Sequence, residues 1–203
     1  MPDLARARPK SLGILEYSGT WAGAYLLRRG LFLPNELPDV MDREIALEGM
    51  RRLNPIARLG ASLMPDPGSD IGRVCVLESA HYMRNQLLRD ADWAGMAHGL
   101  EIRVPLVDII LLRELAPVVS SIVPGEGKVA LAAAPTAALS QEIVTRAKSG
   151  FGVPTGAWIN ALSDDASSES DRRIQPKGVV SRRWSQAVLR GAIPTNHSFG
   201  VHA

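Results

Sequence analysis

Apolar residues along this chain recur mainly at helical spacing. Between Ser18 and Leu27 they fall on one face, and Arg28-Arg29-Gly30 then supplies a cationic last turn and a glycine at which a helix can end. Comparable stripes predict further helices over residues 40–53, 70–88, 89–98, 109–115, 128–135, 141–146, 155–162 and 179–189. The pattern therefore predicts a mainly α fold.

Short polar residues and glycines mark the expected helix ends. The predicted N-caps are Asp39, Ser69 or Asp70, and Asp108. Their side-chain oxygens can accept hydrogen bonds from the backbone N–H groups of the first turn. Gly99 is predicted to end the helix over residues 89–98 in the left-handed conformation. The residues that follow, 101–107, include β-branched side chains and a proline, which predicts an extended segment.

Composition divides the chain into three parts. Residues 1–17 form a basic, proline-containing lead that we predict to be disordered, and residues 18–162 carry most of the helical pattern. Residues 163–203 form a polar linker, one short helix and a tail; the Ser-, Asp- and Arg-rich stretch at their start has no apolar period.

Charge and cysteine content narrow the class of protein. The net charge of +2 arises from 23 basic and 21 acidic residues, a near-balance that argues against a nucleic-acid partner. Cys75 is the single cysteine, so neither an internal disulfide nor a Cys-rich zinc site can form. No apolar run reaches the roughly 18 to 20 residues that a membrane span needs. These features predict a soluble, cytoplasmic protein without a membrane partner.

Two glycine-containing segments are candidates for contact with phosphate. Gly125-x-Gly127-Lys128 precedes a predicted helix, where backbone N–H groups and a lysine attract anions, although the segment is not a Walker A loop. Arg146-x-Lys148-x-Gly150 brings two cations to a flexible turn. Taken alone, each segment favours a plainer interpretation as a solvated surface turn.

Other chemically suggestive residues favour structural roles. Glu101 and Arg103 occupy alternate positions of the predicted extended segment, so they can form a buried ion pair that fixes local geometry. The four histidines lack the spacing of metal ligands, and no metal site is predicted. Cys75 lies in an apolar helical stripe, which indicates an inert core thiol.

The segment from Leu87 to Asp108, LLRDADWAGMAHGLEIRVPLVD, resembles the glutamine-dependent asparagine synthetases. Several of its residues match a hallmark stretch of that family in order and spacing: Met96-Ala97, Gly99-Leu100-Glu101, Arg103, Pro105 and Asp108. Gly125-Glu126-Gly127-Lys128 and the stretch from Glu142 to Pro154 resemble two later family elements. The resemblance covers residues 18–162.

The resemblance implies a fold and a chemistry. The parent fold is an α/β ATP-pyrophosphatase (adenine nucleotide alpha hydrolase-like) synthetase domain, of which this chain would be the C-terminal, helical part. In the family, a carboxylate and ATP with Mg²⁺ give an acyl-adenylate, and ammonia from glutamine then displaces AMP. The implied catalytic residues are Lys128 and Glu101. The implied substrate- or phosphate-binding residues are Asp92, Arg103, Arg146 and Lys148.

The chain also departs from the family pattern. The ATP loop Ser-Gly-Gly-x-Asp-Ser is absent from the sequence, and Pro2 follows Met1 where the glutaminase nucleophile would stand. Trp93 occupies a position at which the family usually has Arg or Lys. We therefore expect a truncated domain that is inactive alone, whose partners are the missing N-terminal synthetase and glutaminase parts or a separate chain that supplies them. The alternative is a non-catalytic helical binding or assembly module, or a gene remnant.

Overall fold

The computed structural model of the protein describes residues 10–123, 125–137, 139–147, 157 and 180–189. The regular elements in these residues are all helices: α1 (Gly13–Tyr17), α2 (Trp21–Arg29), a 3₁₀ helix (Pro34–Asp39), α3 (Arg43–Leu53), α4 (Pro55–Ala61), α5 (Asp70–Leu77), a π-helix (Glu78–Leu88), α6 (Arg89–Met96), α7 (Ile109–Val119), α8 (Gly127–Ala133), α9 (Gln141–Thr145) and α10 (Val180–Leu189). The predicted mainly α fold is confirmed for this part of the chain. No helix there is both long and apolar enough to cross a bilayer.

The chain divides into two compact units. The first combines the N-terminal residues up to Ile56 with the residues from Gly150 onwards, and the second runs from Ala57 to Ser149. The predicted lead, the glycine-rich loop after Arg146 and the predicted linker fall largely or wholly outside the described residues. The proposed boundaries at residues 17 and 162 stay predictions.

The first unit is built around the close packing of α1 and α2. Thr20 caps α2 by accepting a hydrogen bond from the Gly23 N–H at 3.1 Å. A side chain at Gly23 would collide with the carbonyl oxygen of Tyr17, so glycine allows this tight turn between the helices. Tyr17 and Leu33 are both buried, and Leu33 is only 1% exposed. These contacts form a small apolar core.

The C-terminal helix α10 joins this unit through a buried ion pair. Arg182 donates two hydrogen bonds to the Glu36 carboxylate, at 2.6 and 2.7 Å. Its guanidinium carbon also lies 4.7 Å from the centre of the Phe32 ring. The predicted last helix is thereby confirmed, and it packs against the 3₁₀ helix far away in sequence.

Most of the predicted helix ends are confirmed. The Ser69 and Asp108 side chains cap α5 and α7, and Gly99 has a φ of +66° after α6. The prediction for Asp39 was wrong, because Asp42 caps α3 by accepting from the Glu44 and Ile45 N–H groups at 2.9 and 3.0 Å. Asp39 instead ends the 3₁₀ helix.

The second unit contains a π-helix that the sequence did not predict. Its eleven residues, Glu78–Leu88, continue directly from α5 and lead directly into α6. Leu77, just before it, is 1% exposed. His81 within it makes a 2.9 Å hydrogen bond with the Ser62 hydroxyl, just after α4. The Ser62 hydroxyl donates its proton to the Arg58 carbonyl of α4 at 3.1 Å, so its oxygen is the acceptor in the bond with His81.

Candidate functional site

Five of the six predicted site residues lie in the second unit and are described: Asp92, Glu101, Arg103, Lys128 and Arg146. Lys148 lies outside the described residues. All five described side chains are exposed. An exposed charged group can reach a ligand without first breaking a buried network, so their placement is compatible with binding.

Glu101 and Arg103 pair with each other in the loop between α6 and α7. Arg103 Nε donates to Glu101 Oε1 at 3.1 Å, and its Nη2 lies 3.5 Å from Oε2. Their side chains are 72% and 82% exposed, so the predicted ion pair forms but the predicted burial was wrong. Residues 101–104 also form no strand. Since exposed pairs contribute little to stability, this one is better suited to holding two charged groups in place.

Lys128 lies in the first turn of α8. The helix follows Gly125, whose φ of +94° turns the chain, and the Glu126 carbonyl accepts from the Val129 and Ala130 N–H groups. The lysine side chain therefore extends from a local turn into solvent. Arg146 is similarly placed at the end of α9, where it is the C-cap residue.

α6 carries a cation–π contact that the sequence interpretation missed. On α6, the guanidinium carbon of Arg89 lies 4.6 Å from the centre of the Trp93 ring, a cation–π contact. Trp93 itself is 63% exposed. Trp93 occupies the position at which the family pattern predicts a positive charge, and its ring contacts an arginine one turn earlier on the same helix. The signal available in the sequence was the i, i+4 spacing of Arg89 and Trp93.

Of the predicted site residues, Glu101 and Arg103 are joined to each other by hydrogen bonds. A shared cleft formed by Glu101, Lys128 and Arg146 stays a prediction. Within the part of the chain that is described, no three His, Cys, Asp or Glu side chains are grouped to hold a metal ion. His81 is hydrogen-bonded, as expected for a structural histidine. Burial, with the nearby positive charge of Arg84, lowers the pKa of His81 and favours its neutral form.

A groove of about 410 Å³ lies elsewhere in the second unit. It is lined by residues of α5, the start of the π-helix and α7, and none of the five described site residues contributes to it. Cys75 lines this groove and is exposed, so its interpretation as a core thiol was wrong. The prediction of an apolar stripe on α5 was correct. We expected this stripe to pack against other side chains, but it borders a groove.

Comparison with known families identifies the chain. The family model described as asparagine synthase matches residues 7–198, which span nearly the whole sequence and both units. Neither a curated protein nor a solved structure matches the chain significantly. The family match extends beyond the segments on which the resemblance was based, and it includes α10. The chain belongs to the asparagine synthase family.

Proposed function

We propose that this protein acts within an ATP-dependent, glutamine-dependent amide-forming ligase, in asparagine biosynthesis or a related amide transfer. The observation that carries the proposal is the family match over residues 7–198. The ordered motifs of Glu101, Lys128 and Arg146 support it. Within such an enzyme, the chain would be the helical part of an α/β ATP-pyrophosphatase-like synthetase domain.

Lys128 would stabilise negative charge during the reaction. A carboxylate attacks the α-phosphate of ATP to form an acyl-adenylate and pyrophosphate; ammonia then adds to the acyl carbon, and AMP leaves. Charge develops on phosphate oxygens in the first step and on the tetrahedral intermediate in the second. An ammonium group held close to these oxygens lowers both barriers electrostatically. The exposed position of Lys128 at a chain turn leaves its ammonium free to approach them.

The remaining charged residues would bind and orient the reactants. Arg103, Arg146 and Lys148 supply positive charge for phosphate or carboxylate groups, and an arginine can contact such groups with two hydrogen bonds. Mg²⁺ is usually held by one or two carboxylates together with substrate phosphates. The exposed carboxylates of Asp92 and Glu101 fit that kind of contribution, in which the ion neutralises phosphate charge.

The proposed reaction also requires a nucleotide loop and a glutaminase nucleophile. The 203 residues contain no Ser-Gly-Gly-x-Asp-Ser loop of the kind that holds the ATP phosphates. We propose that both are supplied by N-terminal synthetase and glutaminase parts, either in the same protein or in a separate chain. The chain alone is then expected to be inactive.

ATP–pyrophosphate exchange dependent on aspartate tests the proposal. The chain is measured alone and together with a polypeptide that carries the Ser-Gly-Gly-x-Asp-Ser loop. We expect exchange only in the mixture, with loss of about 100-fold in Lys128→Ala, the size typical of removing one charge-stabilising group. Arg113→Ala is the matched control, because Arg113 is exposed on α7 outside the matching motifs. Exchange by the chain alone, or equal activity of the two variants, would contradict the proposed role.

A second candidate function is a non-catalytic binding or assembly module. It is favoured by α7, in which Ile109, Ile110 and Leu112 are 58%, 66% and 53% exposed. Contiguous exposed apolar surface commonly marks an interaction site. The two candidates predict different results when the partner polypeptide is added. A stable complex on light scattering that shows no exchange activity would favour the assembly module.

A further inference from the structure

The groove in the second unit has two helical walls. One wall follows α5 into the π-helix and consists of Gly72, Cys75, Val76 and Ser79. These positions are three, four and seven residues apart and therefore share one helical face. The opposite wall belongs to α7, where Leu112, Ala116, Val119 and Ser120 repeat nearly the same spacing. The groove thus lies between two separated helical faces, both composed of small or apolar side chains.

The turn before α5 borders the same groove. Pro67 and Ser69 also line it. A side chain added at Gly72 would lie 2.9 Å from Ser69 Oγ and 3.0 Å from Pro67 Cβ, so this turn packs closely on the first turn of α5. The Ser69 hydroxyl accepts from the Gly72 N–H at 3.1 Å, which fixes the turn. The groove is therefore bounded at this end of α5, which suits a compact ligand better than a long partner helix.

The chemistry of the lining selects uncharged ligands. Among the residues that the structure describes, no Asp, Glu, Lys, Arg or His side chain lines the groove; the polar side-chain groups there are a thiol and serine hydroxyls. An ionised group placed there would lose hydration without gaining an opposite charge. An apolar body with one or two hydrogen-bonding groups would be well matched, because Ser79 and Ser120 offer hydroxyls on opposite walls. ATP and aspartate, the charged reactants of the proposed reaction, do not fit this description.

The backbone of the groove provides an independent indication of function. Ser79 belongs to the π-helix, which begins at Glu78. Wide π-helical turns account for well under 1% of residues and occur frequently at functional sites. The chain is anchored on both sides of Ser79, by the buried Leu77 and by the hydrogen bond between His81 and Ser62. The wide turn is thus held in place where it meets the groove.

We propose that this groove is a binding site for an uncharged, mainly apolar small molecule. Its volume of about 410 Å³ falls within the range of about 300 to 1,000 Å³ that is usual for small-molecule sites. The ligand lies between α5 and α7, with its apolar part against Val76, Leu112 and Ala116 and its polar group toward a serine hydroxyl. None of the five described charged residues assigned to amide formation lines this site.

Two probes that differ by one charge test this assignment on the full chain. N-phenyl-1-naphthylamine is neutral and apolar, and 1-anilinonaphthalene-8-sulfonate is the same skeleton with an added sulfonate. We expect saturable, one-to-one binding of the neutral probe, at least about tenfold tighter than binding of the anion, because burying the sulfonate without a counter-charge is unfavourable. Cys75, the single cysteine, reports occupancy. Saturating neutral probe should slow its reaction with a thiol reagent at least about tenfold, because a ligand in the groove covers the thiol.

Variants separate the groove from other apolar surface. Ala116→Trp should fill the groove and weaken neutral-probe binding at least about tenfold, because the added ring occupies the ligand's volume. Ala61→Trp, at an exposed end of α4 outside the groove, should bind like the unchanged chain. If circular dichroism shows that Ala116→Trp is misfolded, Ser120→Lys serves instead, because a lysine is favourable at the C-terminal end of α7 and adds a charge to the lining. Unsaturable binding, an unchanged thiol rate, or equal binding by the groove and control variants would overturn the proposal.

Discussion

The buried ion pair between α10 and the 3₁₀ helix makes Arg182 a decisive position for stability. The Arg182 side chain is 8% exposed and that of Glu36 is 22% exposed. Glu36 also accepts a hydrogen bond from the Leu33 N–H at 2.7 Å, so both carboxylate oxygens are engaged. Lys10 is a further charged group near Glu36, and its ammonium donates to the Leu27 carbonyl at 2.8 Å.

Arg182→Ala should cost about 3 to 5 kcal/mol, the usual effect of removing one partner from a buried pair. The change leaves the partly buried Glu36 carboxylate with fewer donors, and it removes the cation–π contact with Phe32. Replacing both charges, as Arg182→Met with Glu36→Leu, should cost less than the single change. The double variant leaves no uncompensated charge, so the two effects should be strongly non-additive.

Urea unfolding measured by circular dichroism tests this reasoning. With an m-value of about 2 kcal/mol/M, a loss of about 3 to 5 kcal/mol corresponds to a midpoint about 1.5 to 2.5 M lower. Arg52→Ala is the control, because Arg52 pairs with Glu48 on an exposed face of α3 and should leave the midpoint nearly unchanged. Equal midpoints for Arg182→Ala and Arg52→Ala, or additive effects in the double variant, would refute the assigned role of the buried pair.

The remaining predictions concern acid stability and helix capping. Burial alone would raise the pKa of Glu36, but hydrogen bonds from Arg182 and the Leu33 N–H, with the charges of Arg182 and Lys10, lower it below its ordinary value of 4.5. The stabilisation by Glu36 should therefore be complete above about pH 4.5 and should be lost as the pH falls through the lowered pKa of Glu36 in the folded protein. Glu36→Gln should abolish this part of the pH dependence of the urea midpoint. Asp42→Ala should cost about 0.5 to 2 kcal/mol in the same assay, since Asp42 caps α3, whereas Asp39→Ala should have little effect. Equal losses in these two variants would contradict the observed cap.

Helix positions and many helix ends could be predicted because they depend on local chemistry. Ser69 and Asp108 hydrogen-bond to backbone groups within three residues of themselves, so their role can be seen in a short stretch of sequence. Asp39 and Asp42 offer the same chemistry three residues apart. The choice between them is made by the 3₁₀ helix, in which Glu36 hydrogen-bonds to the Leu33 N–H. The spacing of apolar residues along the sequence did not reveal this 3₁₀ helix.

Contacts between distant segments could not be predicted in the same way. Glu36 and Arg182 are 146 positions apart, and neither residue has a local pattern that identifies the other. The π-helix was missed because its apolar spacing differs too little from that of an α-helix over eleven residues. Cys75 was placed in a core because its stripe is apolar, but periodicity identifies an apolar face without identifying what covers it.

The distinction between local chemistry and contacts with distant segments also applies to the candidate catalytic residues. Glu101, Lys128 and Arg146 are exposed, and Glu101 pairs with a solvent-exposed arginine. In water, charges at an exposed surface act weakly on one another, whereas stabilisation of a reacting phosphate needs a site from which water is largely excluded. Such a site requires a cover over these residues. The exposed apolar side chains of α7 provide a surface on which a cover could pack, because burying them would supply binding free energy independently of the charged groups. The proposed amide-forming chemistry therefore depends on a covering segment that completes the site and excludes water from it.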